Sequence, residues 1–403
     1  MTPQILQSLS QRLSTSLAAS HEVPGADVAP ITAPITTPIM AAEFGALAVM
    51  DAVPDGGSVA VALSGGPDSM ALLALIEEWA APRDVTVLAL TIDHALRAES
   101  AAEAAQVQGW VCQYFPRVVH HIIRRDQAAL SPTKLQEQAR ADRYRLMADA
   151  CAQAAVPHLF LAHHRDDQAE TFLMRLCKGS GLDGLAGMSA HVLRGDLHLL
   201  RPLLGFDKAR LVVTCAARGL PYVNDPSNGN NKFARVRLRG LTAALAREGL
   251  SARRLAATAL RMGRARAALE FYAGQLWAQS LCADEATAGA LVFDWHMLCA
   301  APEDMRVRVL MRALAQVGAG SDGNSADRYG PRLEQVEALA AALFPRSHLS
   351  ESGRESGRDL GGGSGAGDVF VRTTLHQCIV ERSAARGRLL IRAEKAGHNA
   401  CRG

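Results

Sequence analysis

Val59-Ala60-Val61-Ala62-Leu63-Ser64-Gly65-Gly66-Pro67-Asp68-Ser69 is the stretch that decides the fold of this chain. A short apolar run stops at a Ser-Gly-Gly turn. Apolar residues then recur at helical spacing, at Met70, Leu72, Leu73, Leu75 and Ile76. The pattern predicts a buried strand, a tight glycine turn and a helix beginning near Asp68. Such a junction suits phosphate, because glycines let the backbone approach an anion and free N–H groups at the helix start point toward it. No Gly-Lys-Ser/Thr follows the first glycines, so the turn is not a Walker loop. The charge of a bound triphosphate would fall to backbone amides, hydroxyls and Mg2+ held through Asp68. An ordinary strand-to-helix turn is the bland alternative.

Working outward, strands and helices alternate. The spacing predicts strands at 58–63, 85–92, 118–123, 158–162 and 197–200, and helices at 68–80, 99–115, 134–154, 166–177 and 207–218. Short apolar strands separated by helices imply an α/β fold, a parallel sheet covered by helices on both faces. Ligands of such sheets bind beyond the carboxyl ends of the strands, where Ser64, Asp93 and His163 all fall. A first helix is expected near Ala41–Val53. After about residue 245 strands largely vanish, and 251–280, 302–317 and 331–344 read as helices of a smaller second domain. The domain reading is a disordered extension at 1–40, a catalytic domain at 41–245 and a helical domain at 246–345. A Gly/Ser-rich linker at 346–367 and a short tail at 368–403 follow, the tail with strand-like runs at 369–372, 377–381 and 389–391.

Hydrophobic residues make up 49% and charged residues 21% of the 403, the composition of a soluble globular protein of two domains or more. No apolar run reaches the roughly 18–20 residues that span a bilayer, and the N-terminus lacks the pattern of a secretory signal. The net charge of +3 says little, but Lys232–Arg266 holds ten Lys/Arg and one acid, Glu248. That excess suits a polyanion, with Lys232, Arg237, Arg239, Arg253 and Arg254 as the expected RNA phosphate contacts. A solvated helical face is the alternative. Eight scattered cysteines without a Cys-x-x-Cys pair read as reduced thiols of a cytosolic protein and count against zinc or iron–sulfur sites.

Three further stretches carry chemistry. Asp93 closes the second strand ahead of His94 and could bond a ribose or orient a metal-bound water; capping the next helix is its simpler use. Arg140 and Arg143, three apart on a predicted helix, share a face and could clamp a triphosphate bidentately, or equally pair with Glu137 and Asp142 on a solvated surface. The richest stretch is Ala162-His163-His164-Arg165-Asp166-Asp167-Gln168-Ala169-Glu170-Thr171. His163, Asp167 and Glu170 occupy neighbouring positions of one helical face. Capping by first-turn acids, or a metal site, would explain them. So would binding and deprotonation of a cationic amine nucleophile.

The loop at 64–69, Asp93-His94-Ala95-Leu96-Arg97, Gln136 through Arg140 to Arg143-Tyr144, and His163 through Thr171 occur in one order. Lys178-Gly179-Ser180-Gly181-Leu182, Gly184-Leu185, Arg201-Pro202-Leu203-Leu204 and Asp225-Pro226-Ser227-Asn228 follow. Together they resemble the bacterial tRNA(Ile)-lysidine synthetases, a branch of the PP-loop (N-type ATP pyrophosphatase) enzymes, over about residues 56–240. The resemblance implies a Rossmann-like ATPase domain that, with Mg2+, adenylates the wobble cytidine of an isoleucine tRNA with a CAU anticodon. The amine of free L-lysine then displaces AMP. Carried over, Ser64, Gly65, Gly66, Pro67, Asp68 and Ser69 would hold the ATP phosphates and Mg2+, with Asp93 and Arg143 on ATP or the adenylate. His163 would lie beside the reacting cytidine, Asp167 and Glu170 would hold the lysine ammonium, and Arg235 would stabilise developing charge.

The chain departs from the family at Val236, where an Asn usually follows the arginine, and before Cys378, where glycine is usual. A tRNA thiolase is the nearest competing activity, but it needs cysteine persulfide or an iron–sulfur cluster. A non-catalytic RNA-binding homologue is the other alternative, against which Asp68, Asp167 and Glu170 stand. The expected setting is the cytoplasm, with no membrane partner and a homodimer left open.

Overall fold

A computed structural model describes residues 37–93, 100–125, 135–223, 234–283, 289–318, 331–344, 370–383 and 386–394. The chain forms two compact units, Met1–Glu170 with Met188–Ala256 and Thr171–Gly187 with Ala257–Gly403.

The first unit is built on a six-stranded sheet of β1 (Ser58–Ala62), β2 (Thr86–Asp93), β3 (Val119–Arg124), β4 (His158–Phe160), β5 (His191–Arg194) and β6 (Leu197–Leu200). The strand order is β3-β2-β1-β4-β6-β5, parallel throughout except for the antiparallel β5 edge. Successive residues of β1 serve opposite faces. Val59 and Val61 join a core with Leu72, Leu75, Ile76, Phe160 and Leu211, while Ala60 joins Leu90, Met147, Leu159 and Leu199 on the other side. Both faces are thereby covered, as the apolar strands predicted. The helices Pro67–Ala80, Ser100–Tyr114, Leu135–Gln153, Arg165–Leu176 and Lys208–Ala217 agree with expectation to within two residues at each end. The expected first helix is shorter, Ala41–Gly45 followed by a 3-10 turn at Ala48–Ala52. Strand order reverses between β1 and β4, so a crevice opens beyond their carboxyl ends, where Ser64 and His163 follow.

In the second unit β7 (Ala290–Asp294), β8 (Phe370–Leu375), β9 (Cys378–Ser383) and β10 (Arg388–Ala393) form an antiparallel sheet in the order β7-β10-β9-β8. The segment read as helical thus contributes a strand, and the tail strands pair with it. The sheet shares a core with the helices Glu303–Gly318 and Leu333–Leu343, including Phe293, Leu310, Leu314, Val336, Leu343, Val380 and Ile391. Two donors converge on the last turn of the second helix: Trp295 Nε1 and the buried Arg382 Nη1 both donate to Leu343 O, at 3.2 and 2.8 Å. The hairpin ahead of Cys378 turns through His376 and Gln377, both at positive φ (50° and 58°). A two-residue turn with that conformation favours glycine, which is the physical reason for the glycine usual there in the family.

The basic run is two helices, Ala234–Arg247 and Ala252–Ser280. Gly249, at φ 87°, ends the first with the N–H of Leu250 on Leu245 O and its own N–H on Ala246 O. That is the hydrogen-bond pattern of a glycine-terminated helix. Among the described residues no helix is long and apolar enough to cross a membrane.

Candidate active site

The glycine turn closes on itself. Ser69 Oγ accepts the N–H of Ser64 at 3.2 Å, lies 3.1 Å from Ser64 Oγ and donates to Gly66 O at 3.0 Å. Gly65 has φ 78°, and a Cβ there would meet Val107 Cγ2 at 2.5 Å, so both backbone and space require glycine. Its carbonyl accepts the N–H of Val223, which pins the loop from outside. Pro67 sits in the first helical turn, where a missing N–H costs nothing.

Asp68 then projects from the helix start, three-quarters buried, toward two cations. His164 Nε2 and Lys208 Nζ each lie 3.5 Å from its Oδ2. Burial alone would raise this carboxyl, but His164 and Lys208 outweigh it and hold the group below its ordinary value. The other oxygen, Oδ1, is buried and has no hydrogen-bond partner among the described residues. A buried anionic oxygen without a donor suits a hard cation, so the site fits Mg2+ carried on a triphosphate. Among the described residues no group of three His, Cys, Asp or Glu is placed to hold a metal by protein ligands alone.

His164, which the motif reading passed over for His163, is the hub. It is 2% exposed, with Asp68 and Asp167 Oδ2 each 3.5 Å from Nε2 and Asp166 Oδ2 3.4 Å from Nδ1. Burial opposes its charge, yet Asp166, Asp68 and Asp167 together push it up to about 10. Its imidazolium offsets three acids that would otherwise repel one another. Nothing in the local pattern separated it from its neighbour His163, since both flank the same strand end.

The acids of the Arg165–Leu176 helix divide their labour. Asp166 accepts the N–H of Lys208 at 3.1 Å, satisfying the start of the Lys208–Ala217 helix. Asp167 Oδ2 accepts the N–H of His164 at 3.1 Å, so the capping use is real. Its Oδ1 lies 3.8 Å from Arg239 Nη2. Glu170, 4% exposed, is bound by Arg239 through Nε and, at 3.3 Å, through Nη2. Arg165 pairs with Asp207, and Gln168 exchanges two 2.7 Å hydrogen bonds with Met188, which fixes the helix against its neighbours.

Two cavities flank this cluster. One of about 350 Å³ is lined by Ser64, Asp68, Ser69, Thr91, Arg143 and His163 among others, within the range of ligand pockets. The second, about 470 Å³, is lined by His164, Glu170, Lys208, Arg239 and Thr242 among others. The crevice thus brings together Ser64, Asp68, Ser69, Arg143 and His163. Asp93 is not among the lining residues; it is 5% exposed and accepts Ser100 Oγ at 2.7 Å, at the start of the Ser100–Tyr114 helix. Arg239 was expected on RNA phosphate; its guanidinium lies on Glu170 and Asp167 instead, because its helix turns that face toward the acids. Arg254 Nη1 donates to Gly249 O at 3.1 Å, while Arg237 and Arg253 are exposed. Lys232, His94 to Glu99 and Asp225 to Asn228 lie outside the described residues, as do the side chains of Arg140, Arg235 and Val236. Lys208, unsuspected in the sequence, is 140 residues from Asp68 and has no motif around it. Burial pushes the thiols of Cys151 and Cys215 up to about 11, so neither is a thiolate at neutral pH.

The family model for the PP-loop domain matches residues 40–245. The chain is 44% identical over 290 residues to the tRNA(Ile)-lysidine synthase of Methylobacterium sp. (strain 4-46), covering 72% of this chain and 80% of that one. It is 42% identical over 273 residues to that of Bradyrhizobium sp. (strain BTAi1 / ATCC BAA-1182), covering 66% and 75%. Among solved structures, the U34-tRNA thiolase NcsA from Methanococcus maripaludis matches with a TM-score of 0.45 at 14% identity, over 56% of this chain and 77% of that one.

Proposed function

Since this chain belongs to the tRNA(Ile)-lysidine synthase family, and so is a PP-loop enzyme that uses ATP to form lysidine in tRNA, we propose that its site works in two steps. In the first, the C2 carbonyl oxygen of the wobble cytidine, in isoleucine tRNA with a CAU anticodon, attacks the α-phosphorus of ATP and pyrophosphate leaves. In the second, the amine of free L-lysine attacks C2, a proton passes from nitrogen to an acid of the site, and AMP leaves.

The geometry of the described residues supports the roles of the loop, the acids and the cavity-lining residues; that of Arg235 rests on the family and that of Lys232 on the basic run. Ser64–Ser69 cradles the triphosphate, and Asp68 would hold Mg2+, which would supply charge neutralisation to the pyrophosphate. Arg143 and His163 line the same cavity and meet the nucleotide and the cytidine. Glu170 and Asp167 receive the lysine ammonium and take its proton as the nitrogen attacks. Arg235 faces developing negative charge, and Lys232, Arg237, Arg253 and Arg254 contact tRNA phosphates. The setting is the cytoplasm.

One observation carries the reading. The loop acid Asp68 and the amine-side acid Asp167 both lie 3.5 Å from the same imidazole nitrogen of His164. A triphosphate on one side and a cationic amine on the other would then be neighbours, as transfer through an adenylate requires.

The test is mass spectrometry of the wobble nucleoside after incubation of the tRNA with the protein. Lysidine should form only with ATP and lysine both present, and ATP–pyrophosphate exchange should need the cognate tRNA. Sulfur in place of lysine, or an unaltered cytidine, would overturn the assignment.

A further inference from the structure

Glu170 and Asp167 are not waiting empty for an amine. Arg239, eight residues before the end of its helix, places its guanidinium on Glu170 through two nitrogens and keeps the second within 3.8 Å of Asp167. Glu170 has only 5% of its side chain exposed and Asp167 15%, whereas Arg239 retains 38%. The acids are therefore the fixed, walled part of this arrangement and the arginine its accessible part. The acids ride on a helix that Gln168 ties to Met188 and that Arg165 and Asp166 tie to Asp207 and Lys208 at the start of the Lys208–Ala217 helix. Thr242 and Arg239 line the 470 Å³ cavity together with Glu170.

We propose that Arg239 is an internal stand-in for the amino-acid substrate, holding the lysine acids until lysine displaces it. The proposal rests on the reading of Asp167 and Glu170 as the acids that bind the amine. Asp167 also has His164 beside it, but a carboxylate as buried as Glu170 needs a cation of its own at every stage, since an unpaired buried charge is costly. Arg239 supplies it before lysine arrives and keeps other cations out. Lysine binding then exchanges one ion pair for another rather than creating one, so the apparent affinity for lysine is lower than the acids alone would give. Release of the guanidinium leaves a cation at the rim of the site. There the AMP phosphate of the adenylated cytidine is an anion that a guanidinium binds bidentately. Adenylation would then favour opening of the lysine site, and the amine would enter after the first step.

The experiment uses the full chain. Calorimetric titration of lysine into the enzyme without ATP or tRNA should show Arg239→Gln binding about tenfold tighter than the unmodified protein, equal to about 1.4 kcal/mol. Its KM for lysine should fall while its KM for ATP stays. Weaker lysine binding in Arg239→Gln would overturn the proposal, because Arg239 would then be a positioning residue for Glu170. A second measurement needs no variant. Arginine-selective dicarbonyl labelling of the unmodified protein, read at the Arg239 peptide by mass spectrometry, should rise several-fold with saturating lysine but not with norleucine. Labelling that lysine leaves unchanged refutes displacement even while lysidine still forms. Failure to form lysidine at all refutes the underlying reading instead.

Discussion

Asp68 faces His164 and Lys208 through one oxygen and leaves the other buried without a donor among the described residues. Under the proposed role, Asp68→Ala would remove the Mg2+ ligand and leave two cations facing the triphosphate. We expect ATP–pyrophosphate exchange to drop by about a hundredfold or more, the scale of losing one charge-stabilising group in a dry site. Near-normal exchange in that variant would remove Asp68 from the adenylation step. Asp68→Asn keeps the shape and should lose nearly as much, which separates charge from packing. At this scale the glycine turn was legible because its chemistry is local: Gly65 takes φ 78° within the turn, and Ser69 at the helix start bonds Ser64 five residues earlier. His164 and Lys208 were not legible. Their function depends on a carboxylate that the sheet brings to them, and neither carries a signature of its own.

Between elements, a relay of hydrogen bonds crosses the strands beneath the loop. Thr91 Oγ1 donates to Leu63 O at 2.9 Å, so at 2.8 Å it must accept from His120 Nε2. That fixes the Nε2–H tautomer, with Nδ1 buried and unpartnered among the described residues. Burial, aided by the neighbouring His121, pushes His120 down to about 4 from 6.5. The unfolded chain therefore binds a proton below pH 6.5 that the folded chain refuses until about pH 4, and stability falls across that window as pH drops. Urea melts at pH 7 and pH 5 should show a larger loss for the unmodified protein than for His120→Gln, which keeps a donor for Thr91. Equal losses would place the acid sensitivity elsewhere.

The helix Ala234–Arg247 shows a second limit of sequence reading at this scale. Its charge excess was plain, but charge alone cannot say which arginine faces inward; Arg239 meets the acids while Arg237 is exposed. Arg237→Ala and Arg253→Ala should each weaken tRNA binding and flatten its salt dependence, by roughly 0.7–0.9 in the log–log slope per lost phosphate contact. Unchanged slopes in filter binding at several salt concentrations would return those arginines to the solvated surface. The edge strand β5 escaped detection for a related reason: its residues are mostly exposed, so it lacks the apolar run that marked its neighbours.

At the scale of the whole molecule, the parallel sheet was legible because each strand carries its own apolar signal. The second unit was not, because its sheet is assembled from strands nearly a hundred residues apart in the chain, β7 and β10. The tail's three strands were visible, but their partner Ala290–Asp294 is five residues long and hidden between helices. That pairing makes a sharp prediction for a chain truncated after residue 369. Cys378, Val380, Leu389 and Ile391 are each 0% exposed and would be removed together. At about 1.5–3 kcal/mol per fully buried apolar side chain, the loss is of the order of an entire domain's stability. It would also leave β7 an unpaired edge and uncover Leu310, Leu314 and Val336. Trp277 and Trp295 belong to this core, whereas Trp79 packs in the core of the sheet unit and Trp110 against it. The truncated chain should therefore lose the near-ultraviolet circular dichroism and the blue-shifted fluorescence of Trp277 and Trp295. ATP should still bind at the Ser64–Ser69 loop, because its core shares no residue with the deleted strands. A truncated chain with intact tryptophan signals would mean that the helices Glu303–Gly318 and Leu333–Leu343 hold that core without the sheet.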